Sequence, residues 1–221
     1  MKILTSITVM IFICSVASYG QVGLDRKAYN LTVSSKAEFQ SWSKTPDEGD
    51  SYSISQFSLP LSVKYAVTRN IAVNLLTSAV MSSSDDNSLS GLRDLKARTV
   101  MMFADDKAMI GLGLNLPTGK SDLNSDQEAV SLLLSDRAMR FRYSNLGEGF
   151  DISLNGGYAQ DMGSVVLGGG AGYIKKGEYD LSEGQDSKYK PGDQLTFTAG
   201  MDIPAKPLLM RTDVTYTTYQ S

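Results

Sequence analysis

The 221-residue sequence predicts an all-β fold, an antiparallel transmembrane β-barrel with about nine visible strands and a short helix in one long loop. Three observations predict it. Apolar and polar residues alternate at period two through segment after segment, each about as long as a tilted membrane-spanning strand, roughly 9–11 residues. The connections between segments alternate too, long and polar, then short. Beyond residue 20 there is neither cysteine nor histidine, and no second long apolar run suggests a helical span.

Residues 1–20 read as a cleaved secretory signal outside that fold. Lys2 supplies the positive start, Ile3 to Val16 the apolar stretch, and Ala17-Ser18-Tyr19-Gly20 the small-residue exit. The run is too short for a spanning helix, which needs about 20 residues. Ile13 precedes Cys14 where a lipoprotein signal carries a small residue, so Cys14 belongs to the apolar stretch. One barrel domain is expected over residues 21–221.

The strands follow in order. The first sets Tyr29, Leu31, Val33, Ser35, Ala37 and Phe39 against Asn30, Thr32, Ser34, Lys36, Glu38 and Gln40. The second spans 57–68, with Phe57, Leu59, Leu61, Val63, Tyr65 and Val67 on the apolar face; the third, over 71–81, follows a tight turn at Arg69-Asn70. The fourth and fifth form a hairpin over 92–116. In it Leu92, Asp94, Lys96, Arg98, Val100 and Met102 oppose Arg93, Leu95, Ala97, Thr99, Met101 and Phe103. After the turn 104–107, Ala108, Ile110, Leu112, Leu114 and Leu116 share one face. The sixth and seventh cover 150–159 and 164–173 around a turn at Asp161-Met162-Gly163. The eighth and ninth cover 194–203 and 210–219 around Pro204-Ala205-Lys206-Pro207.

Residues 44–55, 82–91, 117–149 and 176–193 are the expected long loops, and 69–70, 104–107, 161–163 and 204–207 the short turns. Long loops at one end and short turns at the other are the outer-membrane barrel pattern. Tyr29, Phe57, Phe103, Phe150 and Tyr173 near strand ends match its aromatic girdles. A secreted β-sandwich also alternates, but its loops need not sort by length. Nine strands would leave one edge open, whereas bacterial single-chain barrels have an even number. The chain is therefore expected to be C-terminally partial, or one loop to hide a strand. In the longest loop Ser125-x-x-Glu128 reads as a capping box ahead of Ala129, Val130, Leu132, Leu133 and Leu134, predicting a helix at about 126–135 that covers the barrel mouth or enters the lumen.

Formal charge is −3, and losing Lys2 makes it one unit more negative, so there is no basic face for nucleic acid. The mean hydropathy of −0.15 leaves a barrel open, because alternating strands give a weak hydropathy signal. Without histidine a serine lacks its usual base, so no catalytic residues are expected and the chain does not read as an enzyme. No cofactor or metal is expected either. Gly113 to Ser121 has one residue too many between its glycines for a phosphate loop. Asp122-x-Asn124-x-Asp126 opens like a calcium loop, but Gln127 and Leu133 stand where glycine and a bidentate glutamate are needed. Gly168 to Gly172 sits mid-strand, where glycine leaves room inside the wall.

The candidate site is the lumen. Asp94, Lys96 and Arg98 share the inward face of one strand, and the neighbouring strands supply no acid beside the two cations. The loop 117–149 opens with Asp122, Asp126 and Glu128, which are expected to face Lys96 and Arg98 and narrow the passage. Lys36, Glu38, Lys64, Asp151, Asn155, Arg211 and Asp213 are further inward-facing polar residues.

Gly91-Leu-Arg-Asp-Leu95, Gly113-Leu-Asn-Leu-Pro-Thr-Gly-Lys120, Leu123-Asn-Ser-Asp126, Asn145-Leu-Gly-Glu-Gly-Phe150 and Tyr189-Lys-Pro-Gly-Asp193, in that order and spacing, resemble a bacterial family. It is the outer-membrane transporter-like proteins named for the meta-pathway of phenol degradation. The likeness runs from about residue 56 to about 203. It implies a channel or passive transporter in the bacterial cell outer membrane, with lipid around it and small hydrophobic or aromatic solutes as cargo, and it names no catalytic residues. Barrels of this type end on an aromatic residue; this sequence stops at Tyr219-Gln220-Ser221. A barrel with a filled lumen, serving structure or surface interaction, and a secreted β-sandwich binding module are the alternatives. The sequence leaves the oligomeric state open.

Overall fold

The computed structural model describes residues 31–44, 52–85, 87–136, 139–180, 188–205 and 208–220. The expected signal and the start of the first predicted strand, Tyr29-Asn30, lie outside them. The strands are β1 (Leu31–Ser35), β2 (Glu38–Lys44), β3 (Tyr52–Ala66), β4 (Ile71–Ser84), β5 (Asn87–Leu92), β6 (Leu95–Phe103), β7 (Ala108–Leu116), β8 (Asp151–Asp161), β9 (Val166–Lys175), β10 (Asp193–Ala205) and β11 (Leu208–Gln220). The one described helix, α1 (Ser125–Leu134), lies between β7 and β8.

All pairings are antiparallel, and the eleven strands build a single meandering sheet with nine ladder positions. These positions are the nine alternating segments of the sequence. β1 and β2 share a flank of β3, and β5 and β6 share a flank of β4. The two outer positions, β1–β2 and β11, do not pair with each other among the described residues, so the sheet is open.

Two local events split nine segments into eleven strands. β1 and β2 keep one register on β3, with Ser35 opposite Leu61 and Glu38 opposite Ser58. That register brings Lys36 opposite Pro60. The Lys36 N–H donates to the Pro60 carbonyl at 3.2 Å, but proline has no N–H to return, and the ladder lapses at Lys36-Ala37. The second event is a β-bulge. Leu92 faces Ala79 and Lys96 faces Leu76, so four steps along one strand match three on the other. The extra residue lies at Arg93-Asp94, where the Arg93 N–H donates to the Ser78 carbonyl at 2.8 Å.

Predicted boundaries move by one or two residues at the β8–β9 turn, where β8 runs to Asp161 and β9 starts at Val166, and further at three places. The loop expected at 82–91 is mostly strand, because β4 runs to Ser84 and β5 starts at Asn87. Ser82 and Ser84 are buried on the inner face there, and Ser82 accepts a hydrogen bond from Gln56 at 3.1 Å. β3 likewise begins at Tyr52, inside the loop expected at 44–55. β10 reaches Ala205 and β11 starts at Leu208, closing on the turn expected at 204–207.

Period two sorts the sheet into two faces. Leu61, Leu75, Leu112, Leu154, Leu167 and Phe197 are exposed on the outer face, each about 40% or more. Nothing among the described residues packs on them. The core lies on the inner face, at the end of the sheet that carries the β4–β5 hairpin. Ile54, Val80 and Leu89 from the strands meet Leu123, Val130, Leu134, Met139 and Leu146 from the loop between β7 and β8. Burying each such side chain is worth roughly 1.5–3 kcal/mol, enough to hold the loop on the sheet. The helix of that loop is present, but Asn124 caps it rather than Ser125: the Asn124 side chain accepts from the Gln127 N–H, and the Gln127 side chain accepts from the Asn124 N–H in return. No described helix is long and apolar enough to cross a membrane, which says nothing of strands.

Candidate functional site

The loop 117–149 folds over the inner face and is fastened at two places. At the first, inner-face amides take the place of a paired strand. Gln40 donates to the Arg140 carbonyl at 3.3 Å and accepts from the Arg142 N–H at 3.0 Å. Gln56, buried, donates to the Tyr143 carbonyl at 2.7 Å and accepts from the Tyr143 N–H at 3.2 Å. Arg142 also pairs with Glu38 at 2.6 Å, and Lys36 pairs with the same carboxylate. Lys36 and Glu38, predicted as inward polar residues, thus anchor the returning limb of the loop.

The second fastening is centred on Asp94, only 1% exposed. One carboxylate oxygen accepts from the Gly119 N–H at 2.8 Å; the other accepts from the Glu148 N–H at 2.7 Å and the Asn115 amide at 2.8 Å. The Asp94 N–H donates to the Leu146 carbonyl at 3.1 Å, and the Asn115 amide also donates to the Gly149 carbonyl at 2.7 Å. A buried carboxylate is tolerated because three donors replace its water. Space is as tight as the bonding. A Cβ on Gly119 would lie 2.2 Å from the Leu146 carbonyl oxygen, and one on Gly91 2.9 Å from the Leu146 side chain. Three of the sequence motifs, Gly91 to Leu95, Gly113 to Lys120 and Asn145 to Phe150, therefore converge on one carboxylate.

Around it sits an ionic cluster. Glu148 pairs with Arg93 at 2.6 Å, with Lys96 at 3.3 Å and with Lys176 at 3.9 Å. Lys176 pairs with buried Asp151 at 2.8 Å. Burial works against the Glu148 charge, but Lys96, Arg93 and Lys176 outweigh it and hold the carboxyl below its usual 4.5. Arg93 also stacks over the Tyr143 ring at 4.5 Å. The alternation places Arg93 on the outer face; the bulge overturns that and turns it to the same side as Asp94.

Of the predicted constriction residues, Asp94 and Lys96 meet the loop. Asp122, Asp126 and Glu128 do not meet them. Asp126 and Glu128 lie in the first turn of α1, where the helix N-terminus favours acids, and Asp122 is exposed. None of the three has an ion-pair partner among the described residues. The reason is the core: α1 docks on β4 and β5 beyond the bulge, and the return limb, ending in Glu148, is what reaches β6. Glu148 sits in an aperiodic stretch; its sequence signals are its place between Gly147 and Gly149 and within the motif Asn145 to Phe150.

Below the loop the sheet curls round a cavity of about 730 Å³ lined by β6 to β10. That is the size of sites that hold small molecules, roughly 300–1,000 Å³. Arg98 and Asn155 line it, as does the glycine run of β9. A Cβ on Gly111 would lie 2.1 Å from the Asn155 side chain, and one on Gly113 2.3 Å from the Ser153 hydroxyl, so these polar groups lie flat across the glycines. The remaining predicted inward residues are spread around the wall. Lys64 is exposed beside Asn74, Arg211 pairs with Asp202 at 2.7 Å, and Asp213 faces Gly200 across the ladder. The chain matches no protein-family model and no curated protein.

Proposed function

We propose that this chain forms the wall of an outer-membrane β-barrel and acts as a passive channel for small solutes. The observation that carries the reading is the split of the sheet. A broad apolar face lies exposed on one side, and a polar, cavity-lined face lies on the other. Soluble proteins rarely expose a contiguous apolar surface beyond a few hundred Å², whereas a lipid-facing wall needs one. A β-sandwich would cover that face with a second sheet. The same reading accommodates the likeness to the phenol meta-pathway family, with its hydrophobic or aromatic solutes. In lipid an open edge leaves backbone groups unpaired at several kcal/mol each, so β1–β2 and β11 meet each other or further strands in the membrane.

The filled-lumen alternative has one observation in its favour, the loop fastened to the inner face through Asp94. Planar-bilayer recording decides between them. Discrete conductance steps are expected from the purified protein, together with heat-modifiable migration on a detergent gel. Heat-modifiable protein that never conducts would mean a plugged barrel. Protein that is soluble without detergent and does not shift on heating would overturn the membrane reading altogether.

A further inference from the structure

The register of the sheet sorts the inner face into rows. The row above the cavity holds Lys96, Asn115 and Asp151, and its charges are matched by Glu148 and Lys176. The next row down runs Lys64, Asn74, Arg98, Gly113, Ser153, Ile174, Gln194 and on to Tyr219, and it contains no acid. The row beneath, from Ala72 and Val100 through Asn155 to Thr217, contains none either. Arg98 has no ion-pair or hydrogen-bond partner among the described residues, and it lines the cavity. The loop's carboxylate that could have met it is taken by Arg93, Lys96 and Lys176 one row higher.

The wall beside Arg98 is unusually flat. Gly170 and Gly172 carry no side chain, Asn155 and Ser153 lie across Gly111 and Gly113, and the Arg98 stem lies 3.6 Å from the Cβ position of Gly113. Val100 and Met109 give apolar surface lower down, and Ser153 and Asn155 give hydrogen-bonding groups at the level of the guanidinium. A planar guanidinium with free donors matches a carboxylate in two parallel bonds.

We propose that this wall binds a small organic anion, a monocarboxylate with a flat apolar body, its carboxylate on Arg98 and its body against the glycines of β9. The inference rests on the channel reading and deepens it by naming the class of solute. The glycines keep the floor clear: a Cβ on Gly172 would meet nothing nearer than 3.5 Å, so a larger side chain there projects into the cavity without disturbing the ladder.

Isothermal titration calorimetry on the detergent-solubilised protein tests it, with sodium benzoate and its neutral counterpart benzamide as probes. Benzoate should bind about tenfold more tightly than benzamide, as removal of a charge-assisted hydrogen bond implies. Arg98→Gln should bring the two probes within about twofold of each other, while Arg98→Lys keeps a preference for benzoate because the charge remains. Gly172→Leu should weaken both probes by filling the floor. Equal binding of the two probes to the unaltered protein, or a preference that survives Arg98→Gln, overturns the proposal. Unchanged benzoate binding in Gly172→Leu overturns its placement on this wall. Bilayer recording on the same preparations keeps the two readings apart. Benzoate preference without conductance defeats the channel and leaves the site standing; conductance without benzoate preference does the reverse.

Discussion

The carboxylate of Asp94 accepts the backbone N–H of Glu148 at 2.7 Å, across 54 residues of chain. The side chain of Glu148 turns from there to Arg93, the residue next to Asp94 in the bulge. Acid and base thus alternate across one seam: Asp94 holds the loop's backbone, and the loop's acid holds the strand's arginine. The bulge makes this possible by putting two neighbouring side chains on one face, which an unbroken strand does not do.

Asp94→Asn keeps the shape but loses the charge, and its amide group presents hydrogens to N–H donors. It should lower stability by about 2–3 kcal/mol, the scale of lost charged hydrogen bonds. The check is the urea midpoint, with proteolysis of residues 139–149 as a local readout. A midpoint unchanged by the substitution means the carboxylate is not what fastens the loop.

Gly119→Ala and Gly172→Ala make a matched pair. A methyl at 119 collides with the Leu146 carbonyl at 2.2 Å and the Asp94 nitrogen at 2.9 Å, both backbone atoms that cannot turn aside. Overpacking of this kind costs about 1–3 kcal/mol. At 172 the nearest atom is 3.5 Å away, and the change should be close to neutral. Equal thermal midpoints for the two variants would contradict the packing described.

Glu148 gives the loop a pH dependence of defined sign. Its carboxyl lies below 4.5 in the folded chain because of Lys96, Arg93 and Lys176, against the pull of burial. Its contribution is therefore complete above pH 4.5 and lost as pH falls through the lower folded value. Hydrogen exchange at residues 140–149 should quicken below about pH 4.5 relative to the strands. Glu148→Gln should remove most of that acid response.

Phe197 and Thr198 are neighbours on opposite faces of β10. If the outer face meets lipid, Phe197→Arg costs about 2–4 kcal/mol in folding into bilayers, and Thr198→Arg costs far less. Similar folding yields for both in lipid would remove the case for a membrane wall.

The loop and the two inward cations should separate in bilayer recordings. Deleting residues 124–136 takes away α1 and should raise conductance. Arg98→Gln should shift selectivity toward cations, since Arg98 faces the cavity unpaired among the described residues. Lys96→Gln should instead loosen the loop, because Lys96 is already matched by Glu148 at 3.3 Å.

The strands were legible because one face of each is largely apolar, as in the alternation from Ala108 through Leu116, and period two needs no tertiary information. The bulge was not legible. Leu92, Asp94, Lys96 and Arg98 alternate without a gap, so the extra residue shows only once β4 supplies the other side of the ladder. The β4–β5 hairpin was hidden for a different reason: serines on both faces over 82–90 look like loop, although Ser82 and Ser84 are buried and paired in register. Asp94 and Lys96 could be placed as site residues from their shared face. Glu148 could not, because its position depends on where α1 docks.

The extra residue at Arg93-Asp94 is also a unit of slack in the length of the chain. Leu92 stands opposite Ala79 and Lys96 opposite Leu76, so taking Arg93 out leaves three steps facing three. β5 and β6 would then run on as one strand, with Leu89 still in the core and no flanking side chain obliged to change sides. A residue taken from the middle of β6 has no such reserve, because everything beyond it moves to the opposite face. The sheet can therefore shorten by one residue at the bulge, and what disappears with that residue is the tightest ion pair of Glu148. Wall and arginine are separable here: Asp94 keeps its inward place and its three donors, and Glu148 keeps Lys96 and Lys176.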